Sequence, residues 1–330
     1  MKEIFKDIKG YEGIYQVSNY GNVKSFKFNK ERLLKLYSTR GYYIVSLTRS
    51  GYKSRNFKVH KLVSQAFLGD VLCILAHSRQ ALYSHDLLLK ISEKNIPLVI
   101  CDHRHEPVSI LTPVSANHQQ SRRTYAQAKI SQPLQKRLWR EIICKKIHEQ
   151  ANSLVTHNPA EAIAMKKMKA IVLAGDTTNV EARAARFYWP ILFSKDFRRD
   201  KNQCGINAHL NYGYTILRSA MARSVVAAGL IPSLGVGHKN ARNSFCLVDD
   251  LVEPFRPLVD RLVKENAANW SDDLSTSARQ ELAGILSHQI MTEEGRTDLN
   301  RVLAILVTSL CKIFEDGKGK LELPKEIVFV

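Results

Sequence analysis

Three short segments of this 330-residue chain bring together residue types that hold hard cations. The first runs Gly175-Asp176-Thr177-Thr178-Asn179-Val180-Glu181-Ala182-Arg183-Ala184-Ala185-Arg186, with Glu181 at its centre. The second is Leu234-Gly235-Val236-Gly237-His238-Lys239-Asn240, and the third is Asp249-Asp250-Leu251-Val252-Glu253-Pro254-Phe255-Arg256-Pro257. Asp250 and Glu253 stand three apart, a spacing that puts two carboxylates on one helix face. Carboxylates with one imidazole suit Mg²⁺ or Mn²⁺ better than structural zinc, which prefers thiolates.

Each segment also has an ordinary reading. Glu181 follows Thr178 by three residues and could close a capping box. His238 after a glycine-rich turn could be a hydrogen-bonded loop residue. Asp250 and Glu253 flank the apolar stripe Leu247, Leu251, Phe255, Leu258 and Leu262, so they could be a wet helix edge. Elsewhere, Cys101-Asp102-His103-Arg104-His105 follows directly on an expected strand and reads as a strand end. Gly235-Val236-Gly237 lacks the later glycine and the βαβ setting of a dinucleotide loop. Glu315-Asp316-Gly317-Lys318-Gly319-Lys320 reads as a turn into an extended tail.

In their order along the chain the three segments resemble the CRISPR-associated integrases of the Cas1 family, type II branch. The resemblance runs from about Leu72 to Val263 and more weakly beyond. It is carried also by Val99-Ile100-Cys101-Asp102 with His105 and Pro107, by Leu138-Trp139 with Ile142, and by Asn207 and Leu210-Asn211-Tyr212-Gly213-Tyr214 with Ile216-Leu217-Arg218. Gly229-Leu230, Pro232 and Gly235 complete it. The resemblance implies that Glu181, His238 and Glu253 are catalytic and bind Mg²⁺ or Mn²⁺, with Asp250 as an auxiliary acid. It implies metal-dependent DNA strand transfer in spacer acquisition, in which a DNA 3′-hydroxyl attacks a phosphodiester at the repeat. The implied partners are double-stranded DNA, a second copy in a homodimer, the small Cas2 protein and other type II CRISPR proteins. Arg183, Arg186, Lys239, Arg242 and Arg256 are the basic residues expected to track the DNA backbone.

The family's N-terminal β domain is not visible before residue 72. There, Ile8-Lys9-Gly10-Tyr11-Glu12-Gly13-Ile14-Tyr15-Gln16-Val17-Ser18-Asn19-Tyr20-Gly21-Asn22-Val23-Lys24-Ser25 resembles the NUMOD-type module found beside homing endonuclease domains. Val59-His60-Lys61-Leu62-Val63 with Ala66-Phe67 looks like the entry to an HNH nuclease. The Asn-plus-His hairpin of that nuclease does not follow, so His60 is expected to pack and residues 1–69 to bind DNA without cutting it. Residues 1–70 hold fourteen Lys or Arg against five acids, a net of +9 out of the chain's +18. Such a density of positive charge among tyrosines and phenylalanines suits contact with phosphates and bases. A homing-endonuclease-type nuclease and a non-catalytic DNA-binding fusion are the rival readings.

The elements that must position these residues follow from periodicity. Short β-branched and aromatic runs with turns at Asn19-Tyr20-Gly21-Asn22, Arg40-Gly41 and Ser50-Gly51 predict antiparallel hairpins before a helix over 59–67. Strands are expected over 71–75, 97–101 and 108–111, with a helix over 84–93. Residues 114–125 read as a linker. An approximate 3.6-residue period then predicts helices over 127–154, 160–173, 179–188, 207–228, 244–267, 275–288 and 298–314. The expected fold is α+β: a small basic β module (1–69), a reduced β layer with its linker (70–120), then an all-helical catalytic domain (121–330).

Composition sets the outer bounds. The chain is 45% apolar, enough for one or two cores and too much for a disordered tail. The apolar stretch Val225 to Val236 is broken by Gly229, Pro232 and Gly235, and no run is long enough for a membrane span. Charges in Met1-Lys2-Glu3-Ile4-Phe5-Lys6 occupy the place of a signal peptide's apolar region, so a cytoplasmic protein is expected. Six cysteines at least 28 positions apart form no Cys-x-x-Cys pair and are expected to be reduced.

Overall fold

The structure is a computed structural model that describes residues 3–18, 20–39, 42–49, 54–67, 74–76, 81–94, 96, 98–101, 107–111, 119–200, 202–270, 274–292 and 295–327. The chain forms two compact units, Met1–Leu72 with Tyr83–Ile96, and Cys73–Leu82 with Pro97–Val330.

The first unit begins with β1 (Phe5–Asp7), β2 (Tyr15–Ser18), β3 (Val23–Ser25) and β4 (Arg32–Leu33), an antiparallel sheet in that order. A second antiparallel sheet holds β5 (Tyr37–Thr39), β6 (Tyr42–Leu47) and β7 (Arg55–Lys58), and β7 runs into α1 (Val59–Phe67). Period-2 alternation puts Tyr15 and Val17 of β2 and Val45 and Leu47 of β6 inward, where they bury with Ile8, Val23, Val59 and Leu62. Gly21, at φ +88°, turns the chain between β2 and β3 where a β-carbon would stand 3.2 Å from Val59 Cγ1. The helix α2 (His85–Glu93) is capped by Ser84, whose Oγ accepts from Leu87 N at 3.2 Å. His60 lies on α1, and its side chain is outside the described residues. So are the turn at Ser50-Gly51, residues 102–106 of the Cys101 segment, and residues 112–118.

The second unit opens with β8 (Ile74–Ala76), β9 (Leu98–Cys101) and β10 (Pro107–Leu111). β9 is central, parallel to β8 and antiparallel to β10. Helices follow: α3 (Gln120–Ala128), α4 (Gln132–Leu154), α5 (Pro159–Ala170), α6 (Val180–Leu192), α7 (Ile206–Ala227), α8 (Cys246–Val252), α9 (Arg256–Asn266), α10 (Thr276–Ala283) and α11 (Leu299–Asp316). Small antiparallel sheets before a mostly helical region make up the α+β fold that the sequence predicts.

There are four local differences, and three of them have physical causes in these residues. The expected linker is helical from Gln120, because Arg123 pairs with Glu315 at 3.1 Å and Gln127 bonds the carbonyls of Ile231 and Leu234, each at 2.9 Å. The helix expected over 127–154 breaks before α4, which starts with Pro133 in its first turn. The one expected over 244–267 is interrupted by a 3₁₀ turn at Glu253–Phe255, where Pro254 and Pro257 remove helical donors. A hairpin of β11 (Gln289–Thr292) and β12 (Gly295–Asp298) precedes α11 and was not expected.

The helix α4 stands between two apolar clusters. Its Leu138 and Ile142 pack with α7, α8, α9 and α11, and its Ile143 and Ile147 pack with α5 and α6. α7 lies so close to α9 that a β-carbon at Gly213 would overlap Val259. After Gly317, left-handed at φ +70°, an extended tail buries Leu321 and Ile327 and donates Leu321 N to Glu141 Oε2 of α4 at 3.1 Å. Cys144, Cys204, Cys246 and Cys311 are free thiols, and no helix among the described residues is long and apolar enough to cross a membrane.

Candidate active site

Glu181 occupies the first turn of α6. Its entry is strained at two residues, Asp176 and Asn179, at φ +47° and +52°, while Gly175 takes φ +77° freely. The contortion lets Asp176 reach forward, its Oδ1 accepting from Val180 N at 2.8 Å and its Oδ2 from Glu181 N at 2.9 Å. Asp176 is therefore the helix cap, and Glu181 is not the back half of a capping box with Thr178. Its carboxylate instead accepts from Lys146 Nζ of α4.

His238 sits near the middle of the connection between α7 and α8, just after a glycine-rich turn. Asp250, fully buried on α8, gathers that turn: its Oδ2 accepts from Val236 N at 2.6 Å and Gly237 N at 2.9 Å, and its Oδ1 from His238 N at 3.0 Å. The same Oδ1 lies 2.6 Å from His238 Nδ1. A carboxylate can only accept, so Nδ1 carries a proton, and in the neutral imidazole Nε2 keeps its lone pair. The bond to Asp250 raises the His238 pKa. Both glycines are required by closeness: a β-carbon at Gly235 would be 2.6 Å from His238 O and 2.8 Å from Asp250 Oδ2, and one at Gly237 would enter the Trp139 ring. That ring meets the His238 imidazole edge to face at 5.4 Å.

Glu253 begins the 3₁₀ turn after α8. Its Oε2 is 2.6 Å from Lys146 Nζ, and its Oε1 is 3.2 Å from Arg256 Nε. Burial alone would raise the Glu253 pKa, but Arg256 and Lys146 outweigh it and hold the carboxyl down at about 2. Glu181 and Glu253, 72 positions apart, thus meet at one ammonium. His238 is near enough to Glu253 for each to shift the other's pKa.

The sequence-predicted residues therefore divide. Glu181 and Glu253 converge through Lys146, and His238 lies near enough to Glu253 to interact with it electrostatically. Asp250 meets neither carboxylate: both of its oxygens accept from the turn, and one of them positions His238. Arg256 is held against Glu253 and over the Tyr214 ring at 4.9 Å rather than extended to solvent. Arg183 and Arg186 are exposed on α6, and Lys239 and Arg242 are exposed on the turn after His238. Arg186 borders a cavity of about 540 Å³ with Trp189, Lys195, Phe197, Arg198 and Arg199. Below this region Asp260 is buried between Tyr188 OH, at 3.1 Å, and Tyr214 OH. Burial raises its pKa to about 6 against the two phenol hydrogen bonds.

Among the described residues no three His, Cys, Asp or Glu side chains are drawn together tightly enough to hold a metal ion. The donor set nevertheless fits a hard divalent cation: two carboxylates already share one cationic atom, and an imidazole fixed through Nδ1 keeps its other nitrogen for ligation.

Comparisons with known proteins give the family and the fold. The family model described as CRISPR associated protein Cas1 matches residues 47–297. This chain belongs to the Cas1 family. It is 33% identical over 264 residues to the CRISPR-associated endonuclease Cas1 of Neisseria meningitidis serogroup C (strain 8013), covering 78% of this chain and 86% of that one. Among solved structures, a casposase bound to integration product superposes with a TM-score of 0.68 over 89% of this chain and 92% of that one, at 17% identity. A CAS1 protein from Thermotoga maritima gives 0.59 over 88% and 97%, also at 17%. The chain is thus a member of an endonuclease and integrase family, with the Cas1 fold. Residues 3–48 match the NUMOD4 motif. A 63-residue stretch is 48% identical to the DNA endonuclease I-HmuI of Bacillus phage SP01, covering 19% of this chain and 35% of that one.

Lys146 is the site residue that motif reading missed, and Trp139 carries the resemblance there without a place in the site. Lys146 could have been found from periodicity: it falls four after Ile142 on a buried face of α4, where an ammonium must find carboxylates.

Proposed function

We propose that this chain is a metal-dependent DNA strand transferase of CRISPR spacer acquisition, using Glu181, His238 and Glu253 to hold Mg²⁺ or Mn²⁺. The convergence of Glu181 and Glu253 on one cationic atom, beside an imidazole whose Nδ1 is fixed, carries this reading. A bound divalent ion would favour the alkoxide of an attacking DNA 3′-hydroxyl and stabilise charge building on the phosphorane. The protein supplies no nucleophile. Asp250 keeps the proton of His238 on Nδ1, and Trp139 supports the ring from α4. Arg256 offsets the Glu253 charge that would otherwise repel an incoming phosphate. Arg183 and Arg186 project from the same helix as Glu181, and Lys239 and Arg242 from the turn of His238, where they can follow a DNA backbone.

Solved relatives in Cas6-RT-Cas1 and Cas2 complexes support Cas2 as a partner, and the casposase with its integration product supports DNA. A homodimer bridged by Cas2, working with other type II CRISPR proteins, completes the proposal. The first unit adds a DNA-binding surface: Lys30, Arg32 and Lys35 are exposed beside exposed Phe28, Leu33 and Tyr37.

The deciding assay follows labelled short duplexes joining a supercoiled repeat plasmid with and without Mn²⁺. Joining should require Mn²⁺ or Mg²⁺ and should vanish in Glu181→Ala and His238→Ala, with duplex binding retained. Undiminished joining by either variant would refute the site. Light scattering should give a dimer mass; a monomer mass at every concentration would refute the homodimer.

A further inference from the structure

The ammonium of Lys146 is where a cation would be needed. Its residue is almost fully buried on α4, and its Nζ touches a carboxylate from α6 and another, at 2.6 Å, from the turn before α9. The neighbouring Lys145 does something different: its Nζ pairs with buried Glu149 at 2.6 Å and donates to Lys325 O at 2.8 Å. Of these two lysines it is Lys146 that faces Glu181 and Glu253.

An ammonium withdrawn from water is costly unless carboxylates surround it. Here two carboxylates and two cations, Lys146 and Arg256, sum to zero. Adding a divalent ion would leave this buried cluster at +2, with the ammonium and the ion competing for the same oxygens. The two cations are not equally able to yield. Arg256 is pinned between Glu253 Oε1, at 3.2 Å, and the Tyr214 ring, at 4.9 Å. Lys146 ends a flexible four-carbon stem that can swing a compact charge away.

We infer that Lys146 is a built-in counter-ion that holds Glu181 and Glu253 together before metal binding and is exchanged for the divalent ion. The inference rests on the proposed metal site and adds to it a competitor within the chain itself. It makes Lys146 a positioning residue with two opposed effects. It stabilises the metal-free protein, and it weakens the protein's affinity for the ion.

The full-length chain without DNA tests this by Mn²⁺ titration calorimetry and by thermal melting in EDTA and in Mn²⁺. K146M and K146Q should bind Mn²⁺ at least about tenfold more tightly than the wild type, as removing a competing like charge beside the ion requires. Both should melt lower in EDTA and gain more from Mn²⁺ than the wild type does. In the wild type, amine-reactive labelling read by mass spectrometry should find Lys146 protected in EDTA and modified in saturating Mn²⁺. This measurement needs no variant to fold. Mn²⁺ binding by the wild type with Lys146 still protected, or with no tighter binding in K146M and K146Q, would overturn the exchange while leaving the metal site standing. No Mn²⁺ binding by any of the three proteins would overturn the metal site and the exchange together.

Discussion

Asp250 Oδ1 lies 2.6 Å from His238 Nδ1, and the same carboxylate receives three backbone N–H groups from Val236, Gly237 and His238. One buried acid thus sets both the shape of the turn and the proton position of the imidazole. Asp250→Asn would put an NH₂ where backbone donors now point. Such a change in a buried network costs about 1–3 kcal/mol for each donor left unmatched. D250N should be less stable by urea denaturation and should lose strand transfer. The His238 proton signals should titrate at lower pH, because the hydrogen bond that raises its pKa is gone. An unchanged His238 titration in D250N would contradict the positioning role.

The packing of Gly237 against Trp139 gives a cleaner test of the turn. A side chain at Gly237 cannot fit while the Trp139 ring stays in place. Gly237→Ala should therefore destabilise the protein by about 1–3 kcal/mol through overpacking. In G237A/W139A the methyl group gains room, so the double variant should be more stable than the sum of the two single effects implies. Strict additivity in a double-mutant cycle would show that the clash is relieved elsewhere.

How far the site was readable depended on where each residue's partner lies. Glu181, His238 and Glu253 each stand in a segment with distinctive neighbours, so their candidacy could be seen one segment at a time. The role of Asp250 could not be, because it depends on a turn twelve to fourteen residues earlier folding back on it. Asp176 was passed over as a cap because it works from two left-handed residues, Asp176 itself and Asn179, a conformation that spacing does not reveal. The helices were legible wherever one apolar stripe faced one core. The period around residues 244–267 was equally clear, yet Pro254 and Pro257 bend the chain there and aim Glu253 at Lys146. The α3 helix was hidden because its partners, Ala228, Ile231, Leu234 and Glu315, are more than a hundred positions away.

Asp260 gives the second unit a pH signature. Its folded-state pKa is raised to about 6 from 3.8, chiefly by burial. A raised pKa means that its contribution is fully present below pH 3.8 and is lost as pH rises through about 6. The difference of about two pKa units corresponds to about 3 kcal/mol. Glu253, with its pKa lowered to about 2 from 4.5, is already ionised in both states above pH 4.5 and adds no slope in the upper part of that window. The stability gap between D260N and the wild type, followed by urea denaturation from pH 4 to 7, should shift in favour of D260N by about that amount. Parallel profiles would place the ionisation elsewhere.

The basic surface of the first unit should be read through salt. Lys30, Arg32 and Lys35 are exposed around β4, and each cation that neutralises a phosphate releases counterions on binding. Changing all three to Ser in the full-length chain should weaken binding to duplexes of unrelated sequence to a similar degree. It should also flatten the plot of log affinity against log salt by about 0.9 for each phosphate no longer neutralised, so by about 2–3 if all three side chains touch phosphate. The Mn²⁺ affinity of the chain should not move, because these side chains are remote in sequence from Glu181 and Glu253 and belong to the other compact unit. An unchanged salt slope would remove β4 and its flanks from the DNA-binding surface. Metal-dependent cleavage that survives Glu181→Ala but is abolished in the triple variant would instead make the first unit a nuclease in its own right.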